Sequence, residues 1–199
     1  DGGRGQLSAA IAAARTAGPD ASRGTYRKLH LWGDENLFFE PGDLGLPVFD
    51  TEFGRLGVAI CYDGWFPEVY RLLALRGADI VAVPPTGVPR PGHTPDGPAM
   101  AHALAAAGAH SNGLTLVCAD RVGVERGQPF VGRSLIVGSQ GWTVAGPASH
   151  DREEVLLAPV DLAASRRARQ LNDFNHVLRD RRRDLYDELL GAADAPRQR

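Results

Sequence analysis

One strand–turn–helix pattern in the first third of the chain constrains the fold most. The apolar run of residues 56–61 predicts a strand that ends at Cys61. Phe66-Pro67-Glu68 has the features of a helix start, because proline suits the first helical position and an acidic side chain suits the positive end of the helix dipole. The helix is expected to end at Gly77. Residues 78–84 are then apolar enough for a strand that is buried on both faces of a sheet.

The alternation of strands and helices continues along the 199 residues. The expected strands are residues 25–32, 48–51, 56–61, 78–84, 114–119, 134–137, 142–145 and 154–160, and the expected helices are residues 7–14, 66–76, 100–111 and 171–189. With no internal repeat, this order predicts a single α/β layered domain over residues 1–199. Its parts are a first helix within residues 1–20, a main body over residues 21–186 and a tail over residues 187–199.

Composition and charge exclude several classes of protein. The formal net charge of −2 gives no reason to expect nucleic acid or an anionic membrane as a partner. No apolar stretch is long enough to span a bilayer. The two cysteines, Cys61 and Cys118, form neither a disulfide framework nor a zinc pattern, which favours a reducing cytoplasm. His93 and His102 are isolated, and no downstream histidine sits in a thiol-protease motif, so we expect no metal and no cofactor.

Cys61 is the residue with the best position for chemistry. A thiol between a strand end and a helix start meets the positive end of the helix dipole, so its pKa is expected to fall and the nucleophilic thiolate to be favoured. The backbone N–H of Tyr62 is placed to donate to a developing oxyanion. The alternative is a buried, inert core cysteine, which is what we expect of Cys118 in the middle of its strand.

Several motifs in order resemble the nitrilase superfamily of carbon–nitrogen hydrolases. Residues 57–68, with Cys-Tyr-Asp followed by Phe-Pro-Glu, resemble the nucleophile motif of that family. Residues 26–32 resemble its lysine motif, and Glu35 to Asp43 resemble the segment that follows. Residues 119–123 and 130–134 are similar to its later strands, and residues 180–186 to its C-terminal arginine–tyrosine signature. The resemblance covers most of the chain, from Tyr26 to Tyr186.

The resemblance implies a fold, a reaction and a set of site residues. The fold would be an α-β-β-α layered sandwich, in a protein that forms homo-oligomers. Cys61 would be the nucleophile, Lys28 the cation that stabilises the tetrahedral intermediate, and Glu35 a supporting carboxylate. Cys-Tyr-Asp resembles the amidase and carbamoylase branches, which implies conversion of a small linear amide or N-carbamoyl compound to acid and ammonia through a thioester. Nitrile hydrolysis stays open, as does a packing role for two residues that could instead contact substrate, Trp65 and Thr86.

The chain departs from the family at the general base. The family's base is a glutamate well upstream of the lysine, but the 27 residues before Lys28 contain no glutamate and only two carboxylates, Asp1 and Asp20. Compared with that family, the sequence indicates that some 80 residues are absent between Asp20 and Thr25, a length judged from usual domain sizes. We therefore expect a sandwich that is incomplete on its N-terminal side. His30 and Glu68 are the nearby substitutes for the base, and the rival function is a catalytically impaired binding or assembly protein.

Overall fold

A six-stranded mixed sheet with helices packed on it forms the body of the protein. The computed structural model describes residues 24–94 and 97–190, with side chains up to residue 186, so the first helix expected within residues 1–20 lies outside the described residues. The helices are α1 (Glu35–Phe38), α2 (Pro67–Leu75), α3 (Met100–Asn112), α4 (Leu162–Arg167) and α5 (Arg183–Leu190). This architecture confirms the predicted α/β fold class.

The sheet combines parallel strands at its centre with antiparallel strands at both sides. Its strands run in the order β1 (Val48–Thr51), β2 (Gly54–Val58), β3 (Ile80–Val83), β4 (Thr115–Cys118), β7 (Leu135–Val137) and β8 (Thr143–Ala145). Strands β2, β3 and β4 are mutually parallel, and α2 and α3 provide the two crossovers. The carboxyl ends of these three strands therefore lie along one edge of the sheet, where ligand sites of open α/β sheets usually form.

Local sequence explains where the two crossover helices begin and end. Pro67 occupies the first turn of α2, where its missing N–H costs no hydrogen bond, and Glu68 follows it at the positive end of the helix. Helix α3 ends at Gly113, which adopts the left-handed conformation with φ 59° and donates its N–H to the Ala109 carbonyl. Both helices bury one face in the core, chiefly through Val69, Leu73 and Ala109.

The two faces of the sheet differ in how well they are covered. Alternate residues point to opposite faces of a strand, and the face under α2 and α3 is closely packed. Its side chains, all buried, are Val81, Val83, Leu116, Cys118, Leu135 and Val137. On the opposite face most side chains are only half-buried, among them Val58, Ile80, Val117 and Ile136. The described residues therefore complete one layer of packing and cover the other face in part.

The structure corrects several of the predicted elements. Residues 25–32 contain no strand, because no other described strand pairs with them, and residues 154–160 are likewise irregular, with Val155 and Leu157 exposed. Residues 171–182 are not helical, so the C-terminal helix is limited to α5. Two short strands, β5 (Val124–Glu125) and β6 (Gln128–Pro129), form a separate hairpin between the segments that were expected to be strands.

Helix α4 was missed because six residues are too few for a periodic pattern to stand out. It begins at Asp161, whose side chain accepts a hydrogen bond from the Ala164 N–H. Arg166 then forms two hydrogen bonds of 2.8 Å to Asp79, which is fully buried just before β3. This pair ties the segment after the sheet to the start of a central strand.

Candidate active site

Cys61 follows β2 after two intervening residues, Ala59 and Ile60, and has an unusual backbone conformation. It begins a 3₁₀ helix over Cys61–Trp65 and has a φ of 49°, in the left-handed region that residues other than glycine rarely adopt. Such a conformation costs of order 1–3 kcal/mol and persists only where the surrounding structure enforces it. The half-buried thiol lies 3.9 Å from the carbonyl oxygen of Thr86, which follows β3 at the same edge of the sheet.

The predicted fall in the pKa of Cys61 is wrong, because the pKa is raised. Burial raises the pKa of the Cys61 thiol above its usual value, and the carboxylates of Asp120 and Glu35 raise it further, while the charge of Lys28 opposes them. The thiol stands at the start of a short 3₁₀ helix, and the α-helix begins only at Pro67, so the expected dipole effect does not offset desolvation.

Asp63 connects the Cys61 turn to the segment that carries Lys28. Its fully buried carboxylate accepts hydrogen bonds from the Tyr26 hydroxyl at 2.7 Å and from the His30 backbone N–H at 2.9 Å. These donors lie two residues before and two residues after Lys28. The same carboxylate accepts the Ile60 N–H at 2.9 Å, next to Cys61. One aspartate therefore fixes the lysine segment against the thiol turn. In the sequence, Asp63 stands out only as part of the Cys-Tyr-Asp motif.

Lys28 and Glu35 form a close ion pair. The Lys28 ammonium lies 2.5 Å from Glu35 Oε2, and that oxygen also accepts the Trp32 N–H at 2.9 Å. Only 15% of the Lys28 side chain is exposed, so water screens this charge weakly. Lys28 is the sole lysine in a chain otherwise rich in arginine, which is a compositional signal that the sequence analysis did not use. An ammonium is a compact point charge, unlike the planar guanidinium.

Two pockets are lined by adjacent residues of the chain, Ile60 and Cys61. The first is a cavity of about 390 Å³, and its lining includes Cys61, Tyr62, Trp65 and Thr86. The second, of about 650 Å³, is lined by Lys28, Glu35 and Ile60. The structure thus brings four of the predicted site residues around one cavity. The ion pair of Lys28 and Glu35 lies in the second pocket. Lys28 and Glu35 remain close enough for their charges to act on the Cys61 thiol.

Asp120 is a carboxylate at the cavity that the sequence analysis did not select. One of its oxygens accepts the Gly87 N–H at 2.8 Å and the Arg121 N–H at 2.7 Å, and burial raises its pKa. A Cβ at Gly87 would stand 2.5 Å from the other oxygen, so only glycine permits this approach. Asp120 thereby fixes the Thr86–Gly87 backbone that faces Cys61.

The proposed substitutes for the base occupy structural or exposed positions. The His30 ring places Nδ1 2.8 Å from Asp63 and stacks on Phe66 with ring centroids 3.8 Å apart, an arrangement that orders the lysine segment. Glu68 is exposed in the first turn of α2. The two histidines treated as isolated, His93 and His102, in fact line the same cavity. Among residues 24–94 and 97–190 they belong to no group of three metal-ligating side chains.

The fold and this cluster define an α/β protein with a cysteine-centred site at the carboxyl edge of its parallel strands. A family model described as carbon-nitrogen hydrolase matches residues 8–170. The chain therefore belongs to the carbon–nitrogen hydrolase family, which confirms the resemblance to the nitrilase superfamily.

Two curated relatives place the chain more closely. It is 44% identical over 169 residues to a protein of Pyrococcus abyssi named nitrilase, covering 85% of this chain and 60% of that relative. It is 38% identical over 184 residues to the N-carbamoylputrescine amidase of Arabidopsis thaliana, covering 84% of this chain and 59% of that protein. The chain thus spans about three fifths of the length of these relatives.

Solved structures show the same fold. A carbon–nitrogen hydrolase from Helicobacter pylori G27 superimposes with a TM-score of 0.75 at 35% identity, covering 86% of this chain and 62% of that one. A glutamate-to-glutamine mutant of the amidase from Nesterenkonia sp. AN1 superimposes with a TM-score of 0.67 at 30% identity, covering 83% of this chain and 57% of that one. That amidase structure shows the Michael addition of acrylamide at its active-site cysteine.

Proposed function

We propose that this protein hydrolyses the carbon–nitrogen bond of a linear amide or N-carbamoyl compound, with Cys61 as the nucleophile. The observation that carries the proposal is the left-handed conformation of Cys61 at the rim of a cavity, because such strain persists where it serves a site. The relatives named N-carbamoylputrescine amidase and the amidase structures from Nesterenkonia sp. AN1 support this reaction class.

The proposed first step forms a thioester from a primary amide. Cys61 gives up its proton, and its sulfur forms a bond to the carbonyl carbon while the carbonyl oxygen takes the negative charge. Lys28 stabilises that charge, assisted by the backbone N–H of Tyr62. The carbonyl re-forms, the carbon–nitrogen bond breaks, and the nitrogen leaves with the proton as ammonia. Water then attacks the thioester, the acid departs, and Cys61 recovers its proton.

The proton transfers in this scheme require a general base. Glu35 is already bound to Lys28 and to the Trp32 N–H, which suits a supporting role that holds the lysine in place. Asp120 is engaged with two backbone N–H groups, and His30 with Asp63. A complete proton relay therefore requires a further group, in the role that the resemblance gives to a glutamate upstream of the lysine.

Nitrile hydrolysis is the second candidate because the relative at 44% identity is named nitrilase. A nitrile would meet the same thiol, but its nitrogen stays attached until water has added to the carbon. Since the site depends on a free thiol, we place either activity in the reducing cytoplasm. We also propose that the active form is a homo-oligomer.

Covalent trapping tests the proposal directly. Incubation with acrylamide or fluoroacetamide, followed by peptide mass mapping, should give an adduct on Cys61 and essentially none on Cys118. Burial raises the pKa of Cys118 to about 12, so its thiolate is scarce near neutral pH. The Lys28→Met variant should react roughly 3- to 10-fold more slowly, because the Lys28 charge favours the thiolate of Cys61.

The matched control is the neighbouring cation Arg27, which is exposed and paired with Asp43 at 2.7 Å. Arg27→Gln should leave the rate of adduct formation unchanged. Equal labelling of Cys61 and Cys118, or no adduct on Cys61 at all, would contradict the nucleophile assignment and favour a binding or assembly protein. Release of ammonia from an amide or from a nitrile distinguishes the two candidate activities.

A further inference from the structure

Arg90 is an exposed residue in the lining of the cavity that contains Cys61, and its guanidinium lies over two aromatic rings. The carbon of its guanidinium is 5.2 Å from the ring centroid of Trp32 and 5.8 Å from that of Trp65. Both tryptophans and Arg90 line the same cavity as Cys61. Among the ion pairs of the described residues, none involves Arg90, although its side chain carries a full charge.

The aromatic contacts fix Arg90 without using its hydrogen-bond donors. A guanidinium attracted to a ring face is bound through its charge and its flat surface, so the N–H groups at its edge stay available. The two tryptophan rings are themselves held against Tyr62, with centroid distances of 4.9 Å for Trp32 and 6.1 Å for Trp65. Since Tyr62 follows Cys61 directly, one aromatic cluster relates the position of Arg90 to that of the thiol.

The rest of the cavity favours a ligand that is apolar in the middle and negative at one end. Much of the lining is apolar, including Val83, Val131 and Leu135. Its ionisable side chains other than the thiols and tyrosines are Arg90, His93, His102, Arg133 and Asp120. The single carboxylate among these, Asp120, is bound by two backbone N–H groups on the Cys61 side. Arg90 is the exposed member of these five residues, so it is the charge that an incoming ligand meets first.

We propose that Arg90 is a specificity-determining residue that binds a carboxylate of the substrate. This inference rests on the proposed function, and it narrows the substrate class to amides or N-carbamoyl compounds that also carry a carboxylate. The carbonyl to be attacked lies at Cys61, the carbon chain of the substrate crosses the apolar part of the cavity, and the carboxylate meets the edge of the guanidinium. A cavity of about 390 Å³ suits a small molecule of this kind.

Protection of Cys61 from alkylation tests the proposal without requiring turnover. The probes are succinamate, glutaramate and adipamate, each compared with its neutral methyl ester. Each is added before iodoacetamide, and adduct formation on Cys61 is followed by mass spectrometry. In the unmodified chain, at least one of the three acids should protect Cys61 at a lower concentration than its methyl ester does. Arg90→Gln should weaken protection by the anion about 3- to 10-fold and leave that by the ester within twofold, since charge-assisted bonds of this kind have that strength.

Two further variants separate charge from position. Arg90→Lys keeps the charge but lacks the flat stacking surface, so its protection by the anion should be intermediate. Arg76 is the matched control, because it is exposed at the far end of α2 from Trp65 and does not line the cavity. Arg76→Gln should leave the preference for the anion unchanged. A thermal melt of each variant confirms that it is folded.

The outcomes distinguish this inference from the proposed function. If Cys61 reacts before Cys118 but Arg90→Gln does not change the ratio of anion to ester protection, the carboxylate role of Arg90 is wrong and the nucleophile stands. The same conclusion follows if no acid protects better than its ester. If Cys61 is not the residue alkylated first, the proposed function fails at its own step.

Discussion

The thiol of Cys61 is subject to opposing influences within a few residues. Its left-handed backbone presents the side chain at the end of a strand, yet burial and two carboxylates raise its pKa. Lys28 is the charge that opposes them. The thiolate of Cys61 is therefore less favoured than that of a solvated cysteine, and its activation depends on the balance of charges around it.

Asp120→Asn tests that balance. The amide keeps an oxygen to accept the Gly87 and Arg121 N–H groups but removes the negative charge that raises the pKa of Cys61. The pKa of the thiol should fall, and alkylation of Cys61 by iodoacetamide at pH 8 should become roughly 2- to 5-fold faster. The measurement is the pH profile of the alkylation rate, followed on the Cys61 peptide.

The effect of Asp120 on the pKa of Cys61 depends on the ionisation of Asp120 itself. Burial raises the pKa of this carboxyl, so its effect on the thiol exists only above that raised value and vanishes at lower pH, where wild type and variant should react alike. Asp161→Asn, at an exposed helix start, serves as the control and should not change the profile. If Asp120→Asn and wild type are alkylated at the same rate at every pH, the charge of Asp120 does not affect the pKa of the Cys61 thiol.

At the level of elements, the extended segment around Lys28 is positioned by single side chains rather than by strand pairing. Tyr26 and His30 bind Asp63 on either side of the lysine, and the Gly42 N–H donates to the Lys28 carbonyl at 2.7 Å. Because no described strand pairs with the segment, these few hydrogen bonds fix its backbone, and the ion pair with Glu35 then orients the Lys28 ammonium. The position of Lys28 is therefore unusually sensitive to one buried carboxylate.

Asp63→Ala should be strongly destabilising for that reason. It leaves the Tyr26 hydroxyl and two partly buried backbone N–H groups without their acceptor, which corresponds to a loss of about 3–5 kcal/mol in the free energy of unfolding. Urea denaturation measures this loss. Asp43→Asn, which removes an exposed partner of Arg27, should cost far less, because water screens an exposed ion pair. Similar losses for the two variants would mean that Asp63 does not organise the site.

The contrast between predicted and observed elements has a physical cause. Strands β1, β2 and β3 and helices α2 and α3 could be predicted, because each buries a face of regular periodicity. Residues 25–32 alternate like a strand, but a strand also needs a partner, and periodicity alone cannot reveal whether one is present. Helix α4 depends on one capping residue and one buried ion pair, and neither leaves a periodic trace.

The same distinction applies to the site. The motif resemblance selected the residues of the lysine and cysteine segments, because they lie in recognisable local patterns. Asp63, Asp120 and Arg90 were missed, since their importance arises from contacts between positions far apart in the sequence. The direction of the Cys61 pKa shift was wrong for a related reason: a sequence shows a following helix, but it does not show how deeply the thiol is buried.

For the whole molecule, the decisive feature is the second face of the sheet. Its side chains are mostly half-buried, and further apolar side chains are exposed nearby in sequence to Lys28, including Leu37, Phe38 and Phe39. Exposed apolar patches of this kind usually mark interaction surfaces. No helix among the described residues is both long and apolar enough to cross a bilayer. The chain spans about three fifths of its relatives, and this face is where further layers of an α-β-β-α sandwich would pack.

We therefore expect the 199-residue chain alone to hydrolyse amides and carbamoyl compounds at least about 100-fold more slowly than a relative of full length. General acid–base assistance is worth about 10²–10⁴-fold. The two carboxylates whose charges act on the Cys61 thiol, Glu35 and Asp120, are already bound to other groups. Ammonia release from simple amides measures turnover, and light scattering measures the self-association that the half-covered face favours.

A fusion protein provides the second test. The segment that precedes the lysine motif in a relative of full length is inserted between Asp20 and Thr25, which should restore both turnover and solubility. The same fusion with its glutamates changed to glutamine should restore solubility alone. Ordinary turnover by the unmodified chain, abolished by Cys61→Ala, would show that a group within these 199 residues already acts as the base.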